Sequence, residues 1–182
     1  RIQGKTRLYQ DMKRYVRVLF ICHGNICRSP LAHLYFQDLV KKQGLADKFY
    51  VDSAATSYEE IGNPVHPGSR RKLAEAGISC AGKYARHMEK CDYAEFDYLI
   101  GMDRANIRNM TRIAGGDPDR KIYKMMEFSE SGWKQTAAGI RNPEQARDVA
   151  DPWYTGNFDE TWNDVVEGCA GFLEFLKARG EV

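Results

Sequence analysis

Apolar and polar positions change period several times along the chain, and each change predicts an element. Val16–Ile21 is a nearly continuous β-prone run, the pattern of a strand buried on both faces, as in a parallel sheet. Beyond the segment 22–28, Ser29 and Pro30 predict an N-cap and a proline at the first helical position. Leu31, Leu34, Tyr35, Phe36, Leu39 and Val40 then recur at helical spacing, with Gly44 as the stop. Lys48–Ser53 predicts a second strand, and Pro67–Ala76 a short helix ended by Gly77, with Arg70, Arg71 and Lys72 on its wet side. Phe96–Met102 predicts a third strand, Asp103–Ile113 a helix closed by Gly115 and Gly116, and Lys121–Lys124 a weaker fourth strand. Trp162, Val165, Val166, Cys169, Phe172, Leu173 and Leu176 form the apolar stripe of a C-terminal helix over Thr161–Arg179. Strands alternating with helices predict an α/β fold: a doubly wound, mainly four-stranded parallel sheet flanked by helices on both faces. Ligands of such sheets bind beyond the carboxyl ends of the strands, and Cys22 stands at one of them.

Composition narrows the class of partner. The 182 residues fit one domain (16–182), with 43% hydrophobic and 29% charged residues in the balance of a folded protein. Residues 1–15 read as an N-terminal extension or cloning remnant, since Arg1–Arg14 is polar and lacks a signal peptide's apolar stretch. A net charge of +2 gives no concentrated basic face for nucleic acid. No apolar run approaches the roughly 20 residues of a membrane span. Five cysteines without scaffold-like spacing point to reduced thiols in a cytoplasm. Cys80 and Cys91 lack the companions of a structural zinc site, so no metal is expected.

Cys22-His23-Gly24-Asn25-Ile26-Cys27-Arg28-Ser29 joins the first strand to the first helix. A cysteine followed after five residues by an arginine is common by chance; its place in the fold makes it informative. A short loop ending at a helix N-terminus gathers backbone N–H groups around one point, where the helix dipole adds positive potential. Gly24 and Asn25 tolerate the left-handed backbone that such a curl needs. A phosphoryl dianion fits this cradle, and the planar, always-charged fork of Arg28 can clamp two of its oxygens. The same field favours the thiolate of Cys22, which can then attack phosphorus without a dedicated base. The plainer alternative for Cys22 is a small hydrophobe at a strand end.

Val18–Pro30 resembles the signature of the low-molecular-weight protein tyrosine phosphatases. Val51-Asp52-Ser53-Ala54-Ala55, Phe96–Asp103 and Asp148-Val149-Ala150-Asp151-Pro152-Trp153-Tyr154 agree with that family in order and spacing, so the likeness spans Val16–Val182. The resemblance implies a phosphotyrosine phosphatase I-like fold and hydrolysis of aryl phosphates through a phosphocysteine, with Cys22 as nucleophile and Arg28 as clamp. It makes Asp151 the general acid that protonates the leaving phenolate and later activates water, with Trp153 and Tyr154 near it to desolvate it. A bell-shaped, acid-leaning pH profile follows; the plainer reading of Asp151-Pro152 is a turn. By the same resemblance Asn25 and Ser53 fix the phosphate loop, Ser29 favours the thiolate, and Trp153 and Tyr154 line the pocket. Cys27 matches a second loop cysteine able to pair reversibly with the nucleophile, or is a small core residue. No cofactor is implied. The expected partners are a phosphotyrosine protein or small aryl phosphate, with inorganic phosphate as product.

Four departures accompany the likeness. His23 stands where the family has an apolar residue, facing solvent or acting on the thiol. The HxAR segment reads Lys83-Tyr84-Ala85-Arg86, replacing a loop-supporting histidine. Glu59 occupies an aromatic pocket position, so that either Tyr58 takes over that wall or the rim is more acidic. His66-Pro67-Gly68 replaces an acidic DPR stretch. Three other readings remain. A thiol-dependent arsenate reductase would need relay cysteines around the third strand, where Phe96–Asp103 has none. A protein-arginine phosphatase resembles a loop with Thr in place of Ile26. A non-catalytic phosphate-binding module would need neither nucleophile nor acid.

Overall fold

The β-prone run at the head of the domain becomes an inner strand of the sheet. The computed structural model describes residues 15–182; Arg1–Arg14 of the expected extension lies outside the described residues. In chain order the elements are β1 (Val16–Cys22), α1 (Arg28–Lys42), β2 (Phe49–Ala55), α2 (Pro67–Glu75), α3 (Lys90–Glu95), β3 (Tyr98–Gly101), α4 (Arg104–Ala114) and β4 (Ile122–Lys124). A 3-10 turn (Met125–Phe128), α5 (Trp133–Ala137), α6 (Pro152–Thr155) and α7 (Phe158–Ala178) follow, and a further 3-10 turn (Ala46–Lys48) lies between α1 and β2. The four strands run parallel in the order β2-β1-β3-β4. β1 pairs with β2 from Val16 opposite Phe49 to Cys22 opposite Ala55, and with β3 from Val18 opposite Tyr98 to Ile21 opposite Gly101.

From Val18 onward the side chains of β1 alternate between two apolar layers, which is why its sequence is apolar there on both faces, Arg17 near its start excepted. Val18 and Phe20 pack with Leu31 and Phe36 of α1 and with Phe172 and Leu176 of α7. Leu19 and Ile21 pack on the other face with Tyr93 of α3 and Met110 of α4. The doubly wound, four-stranded expectation therefore holds. Among the described residues no helix is long and apolar enough to cross a membrane.

The differences from the sequence reading are local. β2 runs on to Ala55, β3 is shorter than expected, and α7 starts at Phe158 rather than Thr161. Asn157 caps α7 through Oδ1, accepting the Glu160 N–H at 3.0 Å, and Asp159 and Glu160 suit the positive end of its dipole. α3 and α5 span 6 and 5 residues, too few to set up a helical period. Ser29 is not an N-cap: α1 begins at Arg28, the cap position is Cys27 without a side-chain bond, and Ser29 is engaged elsewhere.

Candidate active site

The turn from β1 into α1 places Cys22 at the carboxyl edge of the sheet, with its sulfur facing donors. The sulfur accepts from the backbone N–H of Asn25 at 3.3 Å and of Ser29 at 3.5 Å, and lies 3.0 Å from Ser29 Oγ. Asn25 is buried at φ 57°, the left-handed conformation that asparagine tolerates better than most residues. Its Nδ2 donates to Ser29 Oγ at 2.8 Å. The hydroxyl read as a helix cap is thus drawn inward to the sulfur. Such an environment suits an anionic acceptor.

Arg28, the first residue of α1, is 2% exposed yet charged. NH1 donates to Asp103 Oδ2 at 2.6 Å and to the Val149 carbonyl at 2.9 Å; NH2 donates to Asp151 Oδ2 at 3.4 Å. Burial works against its charge, but Cys22, Asp103 and Asp151 together outweigh it and hold the guanidinium pKa above its ordinary value. Asp151 caps α6, its Oδ1 accepting the Trp153 N–H at 3.1 Å, and its side chain keeps 23% exposure. The rings of Trp153 and Tyr154 are largely in solvent and do not seal the carboxyl from water as expected.

Behind the loop, Lys83 occupies the position of the absent histidine. Its Nζ donates to Asn25 Oδ1 at 3.2 Å and to the Ser53 carbonyl at 3.3 Å, and the Arg86 N–H adds a second donor to Asn25 Oδ1 at 3.2 Å. Arg86 is held by Asp52 at 2.9 Å and by Asp92 at 3.1 and 3.2 Å. The Ser53 side chain, expected to fix the loop, bonds none of residues 22–29; its Oγ meets His33 Nδ1 at 2.9 Å, and Ser53 touches the loop's support only through its carbonyl on Lys83.

Burial, and after it the Lys83 ammonium, push the His33 pKa from 6.5 down to about 4. Between those values the unfolded chain binds more protons than the folded one. The contribution is therefore complete above pH 6.5 and shrinks as pH falls towards 4. We expect a loss of about 3 kcal/mol across that window, removed in His33→Gln. Urea midpoints measured against pH should diverge for the two proteins; parallel curves would contradict it.

A cavity of about 100 Å³ opens over the sulfur. Cys22, Gly24, Ile26, Cys27 and Arg28 form its floor, Glu59 and Glu60 one wall, and Asp151, Trp153 and Tyr154 the other. Tyr58 is absent from that wall. Its ring stacks on His87 with centroids 3.7 Å apart and is 71% exposed, leaving Glu59 and Glu60 to make the rim acidic. His23 sits at the mouth, Nε2 lying 3.2 Å from Glu59 Oε2. Cys27 is buried beside Ile26 and Ala85, and burial first, then Cys22, raise its pKa to about 12, keeping it a neutral thiol.

Asp103, Val149, Glu60 and His33 were missed as site residues. Asp103 carried one signal, an acidic residue just past the carboxyl end of a strand in a parallel sheet. Among the described residues no group of three or more His, Cys, Asp or Glu side chains could hold a metal ion.

Residues 17–182 match the model of the low molecular weight phosphotyrosine protein phosphatase family. The chain is 39% identical over 162 residues to the low molecular weight protein-tyrosine-phosphatase YfkJ of Bacillus subtilis, covering 89% of this chain and 96% of that protein. It is 35% identical to the human low molecular weight phosphotyrosine protein phosphatase, covering 86% and 93% of the two chains. The crystal structure of YfkJ superposes with a TM-score of 0.79 at 38% identity over 90% of this chain and 95% of that one. With the match running from the first strand to the last helix, the chain belongs to the low molecular weight phosphotyrosine protein phosphatase family.

Proposed function

We propose that residues 16–182 form one catalytic domain that hydrolyses phosphotyrosine monoesters, in a protein or a small aryl phosphate, through a phosphocysteine. The observation that carries this reading is the convergence of Cys22, Arg28 and Asp151 on one cleft. The Cys22 thiolate attacks phosphorus in line. As the S–P bond forms, the P–O bond to the phenol breaks and its electron pair goes to the phenolic oxygen, which takes the proton of Asp151. Arg28 holds two non-bridging oxygens, its fork already aimed by Asp103 and Val149. The Asp151 carboxylate next takes a proton from water; that water attacks phosphorus, the S–P bond breaks, and inorganic phosphate leaves.

Trp153 and Tyr154 on the cleft wall offer faces against which a phenyl ring can lie. Phosphoserine has no ring to fill that space, and Ile26 on the floor offers phosphoarginine no polar partner. A phosphotyrosine peptide should therefore be cleaved at least about tenfold faster than matched phosphoserine and phosphoarginine peptides, judged by kcat/KM. EDTA should leave the rate unchanged, because every step uses side chains and water alone. Preference for phosphoarginine would overturn the substrate assignment, and absence of turnover on all three would overturn the reading as an enzyme.

A further inference from the structure

Lys83 sits in the segment beneath the catalytic loop, with its side chain 9% exposed and its Nζ 4.0 Å from Asp52 Oδ1. From it a hydrogen-bond chain of fixed direction runs to the nucleophile. Asn25 Oδ1 accepts from both Lys83 Nζ and the Arg86 N–H, so the amide cannot flip without setting its own donor against two others. Its Nδ2 must then be the donor to Ser29 Oγ. With that oxygen accepting, the Ser29 hydroxyl proton is free to be given, and Cys22 Sγ stands 3.0 Å away to receive it. Donors and acceptors in such a chain polarise one another in the same sense.

We propose that Lys83 is a positioning residue acting by charge: its ammonium orients and polarises the Asn25–Ser29 chain and so favours the thiolate of Cys22. This deepens the phosphatase reading and rests on it. A neutral donor at position 83 could hold Asn25 but could not supply the field. Burial first, and the Arg86 charge with it, hold the Lys83 pKa below its ordinary value, while the charges of Asp52 and Cys22 act to raise it, and a coupling between amine and sulfur is reciprocal. The other groups facing the chain are Asp52 and Arg86 beside Lys83, His33 against Ser53, and Arg28, Cys27 and Asp151 around the sulfur. Near neutral pH, His33 and Cys27 are uncharged and both arginines are charged; a neutral residue at position 83 removes one cation from this set and, with it, one of the charges that depress His33, whose burial still disfavours its charged form.

The test is the rate of Cys22 alkylation by iodoacetamide against pH, read on the Cys22 peptide by mass spectrometry. Lys83→Gln keeps a donor and loses the charge; Lys83→Arg keeps the charge. The midpoint should rise by about half to one pH unit in Lys83→Gln and stay in place in Lys83→Arg. If Lys83→Gln fails to fold, Lys83→Met, of similar length and also neutral, carries the same expectation. A midpoint unmoved in the neutral variant would reduce Lys83 to a hydrogen-bonding prop and overturn the proposal. Failure of the underlying reading gives a different result, full turnover by Cys22→Ser.

Discussion

Cys22→Ser should leave no measurable turnover of p-nitrophenyl phosphate, whereas Asp151→Asn should keep a remnant whose size depends on the leaving group. A serine hydroxyl is a far weaker nucleophile than a thiolate, and the oxygen beside it, Ser29 Oγ, is no base. Loss on the order of 10⁴-fold or more follows, since removing a nucleophile forfeits the covalent route entirely. Asp151→Asn leaves the floor of the cleft intact, and the amide oxygen can still accept the Trp153 N–H that caps α6. It loses only the proton to be given. For phenyl phosphate, whose phenolate is a poor leaving group, kcat should fall 10²–10⁴-fold. For p-nitrophenyl phosphate, whose phenolate departs more readily, the fall should be smaller. Plotting log kcat against leaving-group pKa should give a steeper line for the variant. Equal losses across the series would remove Asp151 from the acid's role and leave it as a cap and a partner of Arg28.

What the sequence disclosed and what it withheld divide along physical lines. The step from β1 to α1 was legible because a nearly continuous apolar run, a short polar loop and a proline-led helical period follow each other directly. That placed Cys22 and Arg28 at the sheet edge. The partnership of Arg28 with Asp103 was not legible, because it requires β3 to lie beside β1, and strand order is a property of packing rather than of spacing. The cap reading of Ser29, though not its expected place beside the sulfur, failed for a similar reason. Serine before proline is a good cap in isolation, but here the Asn25 amide and the Cys22 sulfur claim the hydroxyl first. Tyr58 failed as a pocket wall because a planar imidazole, His87, offered its ring a stacking face outside the cleft. Lys83 in the HxAR segment put the rigidity of the loop in question, and in the structure its amine reaches the Asn25 amide oxygen and ties the loop from behind.

Support for the Asp151 side of the cleft comes from far along the chain, and Gly171 is its most sensitive point. A Cβ on Gly171 would lie 1.7 Å from the carbonyl oxygen of Phe128, a backbone atom with nowhere to yield. Gly171→Ala gains about 1 kcal/mol of helix propensity, but forcing α7 and the 3-10 turn apart should cost about 3 kcal/mol or more. The clash wins, and Tm should fall by roughly 4–10 °C. Gly168→Ala should cost less, because the nearest atom there is the Cε of flexible Met125, at 2.8 Å. The consequence reaches catalysis through the turn itself. Glu127 within it binds Arg141 at 3.0 Å, and Lys124 just before it binds Asp148 and the Ala146 carbonyl at 2.6 Å, tethering the segment that ends in Asp151. Below its melting range Gly171→Ala should therefore lose more activity on phenyl phosphate than on p-nitrophenyl phosphate, a milder copy of Asp151→Asn. A Tm within 1 °C of wild type, by scanning calorimetry, would mean that the turn and α7 are less tightly apposed than this packing requires.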